Sequence, residues 1–267
     1  MTDTRFIETF DRITKAYESL GYPLPMIQQW TLPAQDCQAL LAKVLEVKPV
    51  KVLEIGTFVG LTTQLLAFYT DAGTTVHSID PNLQLSVEMG SMKSDLFDVD
   101  TSVKTQELAR KVSTLLDLDS KIFYHEGGFS IGDTFASVND KLSARVQAIG
   151  EAVCRDQGPF DLIFIDGLHY EHAVLSDIEL AVTHLAPGGI IILHDVIGRW
   201  GSNVRRAVFT FLEKRDDFIF SHERFAKKYD SIAFLIPKTT MRAQQDRKGS
   251  MEHEGLDHDI RSIQESL

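Results

Sequence analysis

Cysteine is scarce in this chain: Cys37 and Cys154 are its only two, and they form no Cys-x-x-Cys pair. Neither a disulfide framework nor a four-cysteine zinc module can be built from them. Long apolar runs are missing as well, and no signal-peptide pattern opens the chain, so a soluble, reducing, cytoplasmic setting with no membrane partner is expected. Basic charge is in deficit. Lys and Arg number 27 against 38 Asp and Glu, a net charge of −11, which leaves no excess to neutralise phosphates and excludes general nucleic-acid binding. A small molecule remains as the natural partner. The 43% of hydrophobic and 24% of charged residues are ordinary for a globular enzyme with a sizeable core.

Three regions follow from the patterning. Residues 1–49 read as a helical cap: Phe6, Ile7, Phe10, Ile13, Tyr17 and Leu20 recur at helical spacing and stop at Gly21, and Tyr22 to Pro25 reads as a turn. A second amphipathic stretch opens at Pro33 and closes at Lys48-Pro49. Residues 50–237 alternate short apolar runs with helical stretches, the pattern of parallel strands with crossover helices. Strands are expected near Val50–Ile55, Thr75–Ile79, Lys121–His125, Phe160–Ile165, Gly189–Leu193, Phe218–Ser221 and Ser231–Ile236. Helices are expected at Leu61–Tyr69, Val103–Leu116, Glu171–Leu185 and Asn203–Lys214. Two long interruptions, Pro81 to Asp100 and Phe129 to Gln157, follow strands, where active-site loops belong. The first, with Met89, Met92, Leu96 and Phe97, reads as a lid or a surface loop. Residues 238–267 are polar and poor in aromatics, the composition of a disordered tail.

The most specific signal is V-L-E-I-G-T-F-V-G, from Val52 to Gly60, in which a buried strand runs into glycines that turn the chain into a helix and bring backbone N–H groups close to a ligand. Dinucleotide-binding loops read GxGxxG instead. Glu54 would repel a diphosphate but could meet a cationic group. The next strand ends V-H-S-I-D-P, which places Asp80 where an acid accepts hydrogen bonds from two ribose hydroxyls.

With F-D-L-I-F-I-D-G-L-H-Y and L-A-P-G-G-I-I-I-L-H-D further on, the chain resembles class I S-adenosylmethionine-dependent methyltransferases over roughly residues 35–237. Within them it looks like the small-molecule O-methyltransferase branch. The resemblance implies a Rossmann-like, doubly wound, seven-stranded, mostly parallel sheet with the last strand antiparallel. It implies that Glu54, Gly56, Thr57, Gly60 and Asp80 contact the methyl donor, S-adenosyl-L-methionine, with Asp166 bordering it and Gly127, Gly128 and Phe129 beside its adenine.

Transfer to a hydroxyl also benefits from a base or a metal that removes the proton. Asp166 and His169 follow the fourth strand and His194 and Asp195 end the fifth, so two acids and two imidazoles converge on one rim. The pattern is similar to the macrocin O-methyltransferase and cephalosporin-hydroxylase-like group. That similarity implies His169 as general base and Asp166 and Asp195 as ligands of Mg²⁺ or another divalent metal, through which they align the acceptor. His194 departs from the group, which has a carboxylate at that place, and imidazole suits a softer metal than Mg²⁺. Three readings stay open: a metal site using His194, an oxygen site without it, or no metal. The acceptor implied is a hydroxyl of a small polar molecule, a sugar or glycosylated natural product. A metal-free N-, C- or phenol O-methyltransferase and an inactive donor-binding module remain alternatives, and a homo-oligomer stays open. Arg199, Trp200 and Asn203 are candidates for the acceptor pocket.

Overall fold

A computed structural model describes residues 4–88, 99–131, 146–198, 201–222 and 231–241. Its strands are β1 (Lys51–Ile55), β2 (Thr75–Asp80), β3 (Ile122–Glu126), β4 (Phe160–Ile165), β5 (Leu185–Leu193), β6 (Phe218–Ser221) and β7 (Ala233–Pro237). They form one sheet in the order β3-β2-β1-β4-β5-β7-β6, in which β7 runs antiparallel to both of its neighbours and the pairs among β1 to β5 are parallel. The chain winds outward from β1 in one direction and from β4 in the other. The crevice at the carboxyl ends of β1 and β4 is therefore the topological switch point, where such sheets bind ligands.

Alternation along the strands sorts the apolar residues into two cores. Val52, Leu162, Phe164, Ile190, Ile192 and Phe234 face one side. There they meet α1 (Thr4–Ser19), α2 (Leu24–Trp30), α3 (Ala34–Val47), α4 (Leu61–Tyr69) and α6 (Thr105–Leu115). Leu53, Ile163, Ile165, Ile191, Leu193 and Leu235 face the other side and meet α7 (Gly150–Gln157), α8 (Glu171–Thr183) and α9 (Gly201–Lys214). This is why the central strands read as continuous apolar runs: both of their faces are covered. The two cysteines are free and buried. Among the described residues no helix is long and apolar enough to cross a membrane.

Three local readings change. The turn expected at Tyr22 to Pro25 leads directly into α2, because Pro23 and Pro25 occupy its N-terminal positions, where a missing N–H costs nothing. Glu171–Leu185 ends as a helix at Thr183, and Leu185 already belongs to β5, whose first residue pairs with Phe160 across an irregularity in register. The interruption from Phe129 to Gln157 contains α7, too short and polar to announce itself by periodicity. In the other interruption, α5 (Leu85–Glu88) is a single turn, and Met89, Met92, Leu96 and Phe97 lie outside the described residues. Residues 238–241 continue as a helical turn with Thr240 buried, and the polar segment from 242 onward lies outside the described residues.

Candidate active site

At the switch point the chain leaves β1 through Gly56, at φ +95°. A Cβ there would stand 2.2 Å from the carbonyl oxygen of Asp166 on the neighbouring strand end, so glycine is required by contact as well as by dihedral. The Gly56 N–H donates to the Ile79 carbonyl at 2.9 Å, which ties the turn to β2. Gly60, at φ +89°, starts α4, and its missing Cβ lets Ala109 of α6 approach. From the helical layer, the buried Tyr17 hydroxyl donates to the Val59 carbonyl at 2.7 Å. The first helix therefore braces the turn that the sequence pattern singled out.

Beneath the turn runs a chain of buried polar groups. Gln106 donates to the Thr57 hydroxyl (3.2 Å), Thr57 and Ser78 share a 2.5 Å contact, Ser78 donates to Glu54 Oε2 (2.6 Å), and Thr63 donates to the same oxygen (2.5 Å). Glu54 is wholly buried, and its Oε1 has no hydrogen-bond partner among the described residues. Burial pushes the Glu54 carboxyl up to about 8, against the bonds from Ser78 and Thr63 that favour its ionised form. Asp80, at the end of β2, accepts from the Phe58 N–H (2.9 Å), the Asn82 N–H (2.8 Å) and the Thr105 hydroxyl (3.1 Å). Burial raises its carboxyl too, with these donors opposing. Asp80 thus closes the glycine turn, with the Thr57 backbone adding to these donors.

The turn after β3 is explained by packing. A Cβ on Gly127 would meet the Gln147 carbonyl at 2.8 Å, one on Gly128 the Ile131 carbonyl at 2.3 Å, and Phe129 is buried in the second core. Asp177 of α8 accepts hydrogen bonds from the N–H and hydroxyl of the adjoining Ser130.

The four polar residues of the rim converge. His169 Nε2 lies 2.9 Å from Asp195 Oδ2 and 3.5 Å from Asp166 Oδ1. His194 Nδ1 lies 2.9 Å from that same Asp166 oxygen, while its Nε2 lies 3.2 Å from Asp36 Oδ2, on α3. Burial alone would lower both imidazoles, but the carboxylates outweigh it. Asp166 and Asp195 lift His169 to about 9, and Asp166 and Asp36 lift His194 to about 10. Burial would likewise raise Asp166, yet His194 and His169 bring it down to about 2. Asp195 itself sits at φ +54°, a left-handed position unusual for a residue with a side chain. Asn203 of α9 donates to the His169 carbonyl at 3.2 Å and so fixes the loop that carries this imidazole. Arg199 and Trp200 lie outside the described residues.

Among the described residues, one set of potential ligand atoms lies within 4.8 Å of one another: Asp166, His169 and Asp195. His194 is not in that set: its Nδ1 and Nε2 lie beside Asp166 Oδ1 and Asp36 Oδ2. A divalent ion among the other three would take the place of the contacts that His169 now makes with Asp166 and Asp195.

Asp36, Thr63, Ser78 and Gln106 were missed by sequence reasoning. Asp36 falls in the first turn of a helix, where an acid reads as a partner of the helix dipole. Its spacing from Leu40 and Val44 was a usable signal, since it places the acid on the apolar face.

This sheet order, with a glycine turn after β1 and an acid ending β2 at the switch point, defines the fold of class I, S-adenosylmethionine-dependent methyltransferases. A family model described as a methyltransferase domain matches residues 53–196, and the chain belongs to that family. Similar solved structures include an O-methyltransferase from Bacillus cereus in complex with SAH, at 17% identity over 86% of this chain and 91% of that one, with a TM-score of 0.56. Another is the O-methyltransferase TomG from Streptomyces achromogenes, involved in tomaymycin synthesis and in complex with SAM (15% identity, 86% and 89% covered, TM-score 0.54). A third is an SAH-bound methyltransferase from Podospora anserina (12%, 85% and 88%, 0.55). At these identities the likeness is one of fold. No curated protein matches the sequence.

Proposed function

We propose that the protein transfers a methyl group from S-adenosylmethionine to a hydroxyl of a small polar acceptor, with the donor over the ends of β1 and β2 and the acceptor beside β4 and β5. The observation that carries this reading is the contact of the two halves: Gly56 of the donor turn packs directly on Asp166, the first residue of the imidazole-carboxylate rim. The Oε1 of Glu54, without a hydrogen-bond partner among the described residues, offers an acceptor to a cationic amino group, directly or through water, and Asp80 ends β2, where an acid suits ribose hydroxyls. The neighbours named O-methyltransferases support oxygen as the target. A sugar or glycosylated natural product is the acceptor that the motif resemblance suggests.

The donor, when bound, supplies a methyl group on a positively charged sulfur, open to in-line displacement by the acceptor oxygen. The chain's own task is to orient that oxygen and receive its proton. His169, fixed by Asp195 and Asn203, is the proton acceptor, and Asp166 aligns the acceptor. Because its neighbouring acids keep His169 protonated up to about pH 9, its proton must leave before it can act as a base. With any acceptor that turns over, the rate should therefore climb about tenfold per pH unit and level off near 9. His169→Gln should abolish that limb and lower turnover by about 10² to 10⁴-fold, with SAH affinity unchanged. A flat wild-type profile between pH 6 and about 9 would remove His169 from this role.

Donor binding is testable without the acceptor. Asp80→Asn should weaken SAH by on the order of ten- to a hundredfold in calorimetric titration, since it replaces a charged acceptor. Folded protein that binds no SAH would end the donor assignment.

A further inference from the structure

Asp177 of α8 is a buried acid that neither the chain of polar groups under the glycine turn nor the imidazole-carboxylate rim uses. It is 6% exposed, and no cation answers it among the described residues. A buried carboxylate in that position is costly unless donors surround it. One oxygen is supplied: Oδ1 accepts from the Ser130 N–H at 3.3 Å and from the Ser130 hydroxyl. Oδ2 has no hydrogen bond among the described residues, although an ionised carboxylate accepts at both oxygens. Two loops at the crevice set the position of that second oxygen. Ser130 belongs to the turn after β3, whose Gly127 N–H donates to the Asp80 carbonyl at 2.9 Å. From the loop after β4, a Cβ built on Gly167 would stand 3.9 Å from Asp177 Oδ2 and 3.3 Å from Ile55 Cγ2, at the end of β1. We propose that Asp177 Oδ2 accepts a hydrogen bond from the exocyclic amino group of the donor's adenine, which makes α8 the element that reads the base.

This assignment rests on the donor lying over the ends of β1 and β2, with its ribose at Asp80. The turn after β3 is bonded to Asp80 itself through Gly127, so a base joined to that ribose comes within reach of Ser130 and Asp177. A side chain at position 167 would stand against Oδ2, and glycine leaves that approach open. The adenine amino group offers two N–H donors, the complement of a carboxylate oxygen. Burial raises the Asp177 carboxyl to about 6, with the two Ser130 bonds opposing, so the group is chiefly ionised at neutral pH and can only accept. A base without the amino group would leave Oδ2 buried and unanswered, and a polar site discriminates through the group that the wrong ligand leaves unpaired. Ser130 holds the carboxylate by its other oxygen and so fixes the direction of the free one.

The test titrates the full-length protein calorimetrically with SAH and with its analogue in which unsubstituted purine replaces adenine. The wild-type protein should bind SAH about 10- to 100-fold tighter than the analogue. In Asp177→Asn the amide oxygen stays with the Ser130 donors and the NH₂ group faces the base, where donor meets donor. That variant should weaken SAH by a similar factor and leave the analogue within about threefold, so the preference collapses. Asp177→Ala should lose the preference as well. A merely structural role would lower both ligands in parallel and keep it. Equal wild-type affinities, or a preference that survives in both variants, overturn the proposal. If neither variant folds, the wild-type preference decides. Folded wild-type protein that binds no SAH strikes the donor assignment and this reading with it, whereas SAH binding without the preference strikes this reading alone.

Discussion

Gly56→Ala should destabilise the protein by about 3–5 kcal/mol and remove SAH binding, the largest effect expected of any one-carbon change in this chain. Two costs add. The backbone at φ +95° disfavours any side chain, and the new Cβ would stand 2.2 Å from the Asp166 carbonyl oxygen and 2.7 Å from its carbon. Neither atom belongs to a flexible side chain, so β1 and β4 must separate at the crevice that the donor would occupy. Gly188→Ala is the matched control, at φ +88° with nothing within 4 Å of its Cβ. It meets the dihedral cost alone, about 1–2 kcal/mol. Thermal unfolding should then show a fall of roughly 10 °C or more for the first variant and a few degrees for the second. Equal shifts would mean that dihedral strain, rather than the contact between strand ends, is what Gly56 relieves.

The second large effect concerns Glu54. The unfolded carboxyl titrates near 4.5, whereas in the fold burial raises it to about 8. Between these values the folded chain binds a proton that the unfolded chain has released, so stability falls as pH rises through this window and is level above it. The loss is at most about 5 kcal/mol, because each tenfold change in proton affinity corresponds to roughly 1.4 kcal/mol. Glu54→Gln keeps an oxygen for Thr63 and Ser78 and cannot ionise, so its denaturation midpoint should vary much less between pH 5 and about 8. Parallel pH profiles for wild type and variant would show that Glu54 is ionised in the fold. The same group links stability to ligand: if it meets the amino group of the donor, SAH binding at neutral pH should release a proton. Calorimetry in buffers of different ionisation enthalpy would detect that proton.

Much of this molecule is legible in its residues before any coordinates. The alternation of apolar runs and helical stretches from Val50 to Ile236 is enough for a parallel sheet, because strands covered on both faces must be apolar throughout. V-L-E-I-G-T-F-V-G and the acid at Asp80 mark the turn at the switch point, since only glycine can take it and only a strand end can present the acid there. Asp166, His169, His194 and Asp195 could be gathered onto one rim because parallel strands end on the same edge. Which of them touch is a different matter, for hydrogen bonds depend on ångström distances between segments far apart in the chain. Asp36 looks like an ordinary acid opening a helix until α3 packs over the sheet and carries it to His194. That packing sets His194 between Asp36 and Asp166, and makes His169 rather than His194 the imidazole nearest Asp195. The sequence by itself determined the fold and its glycine turn through periodicity and backbone constraint; only tertiary structure decided which acid meets which imidazole at the rim, because those contacts join segments far apart in the chain.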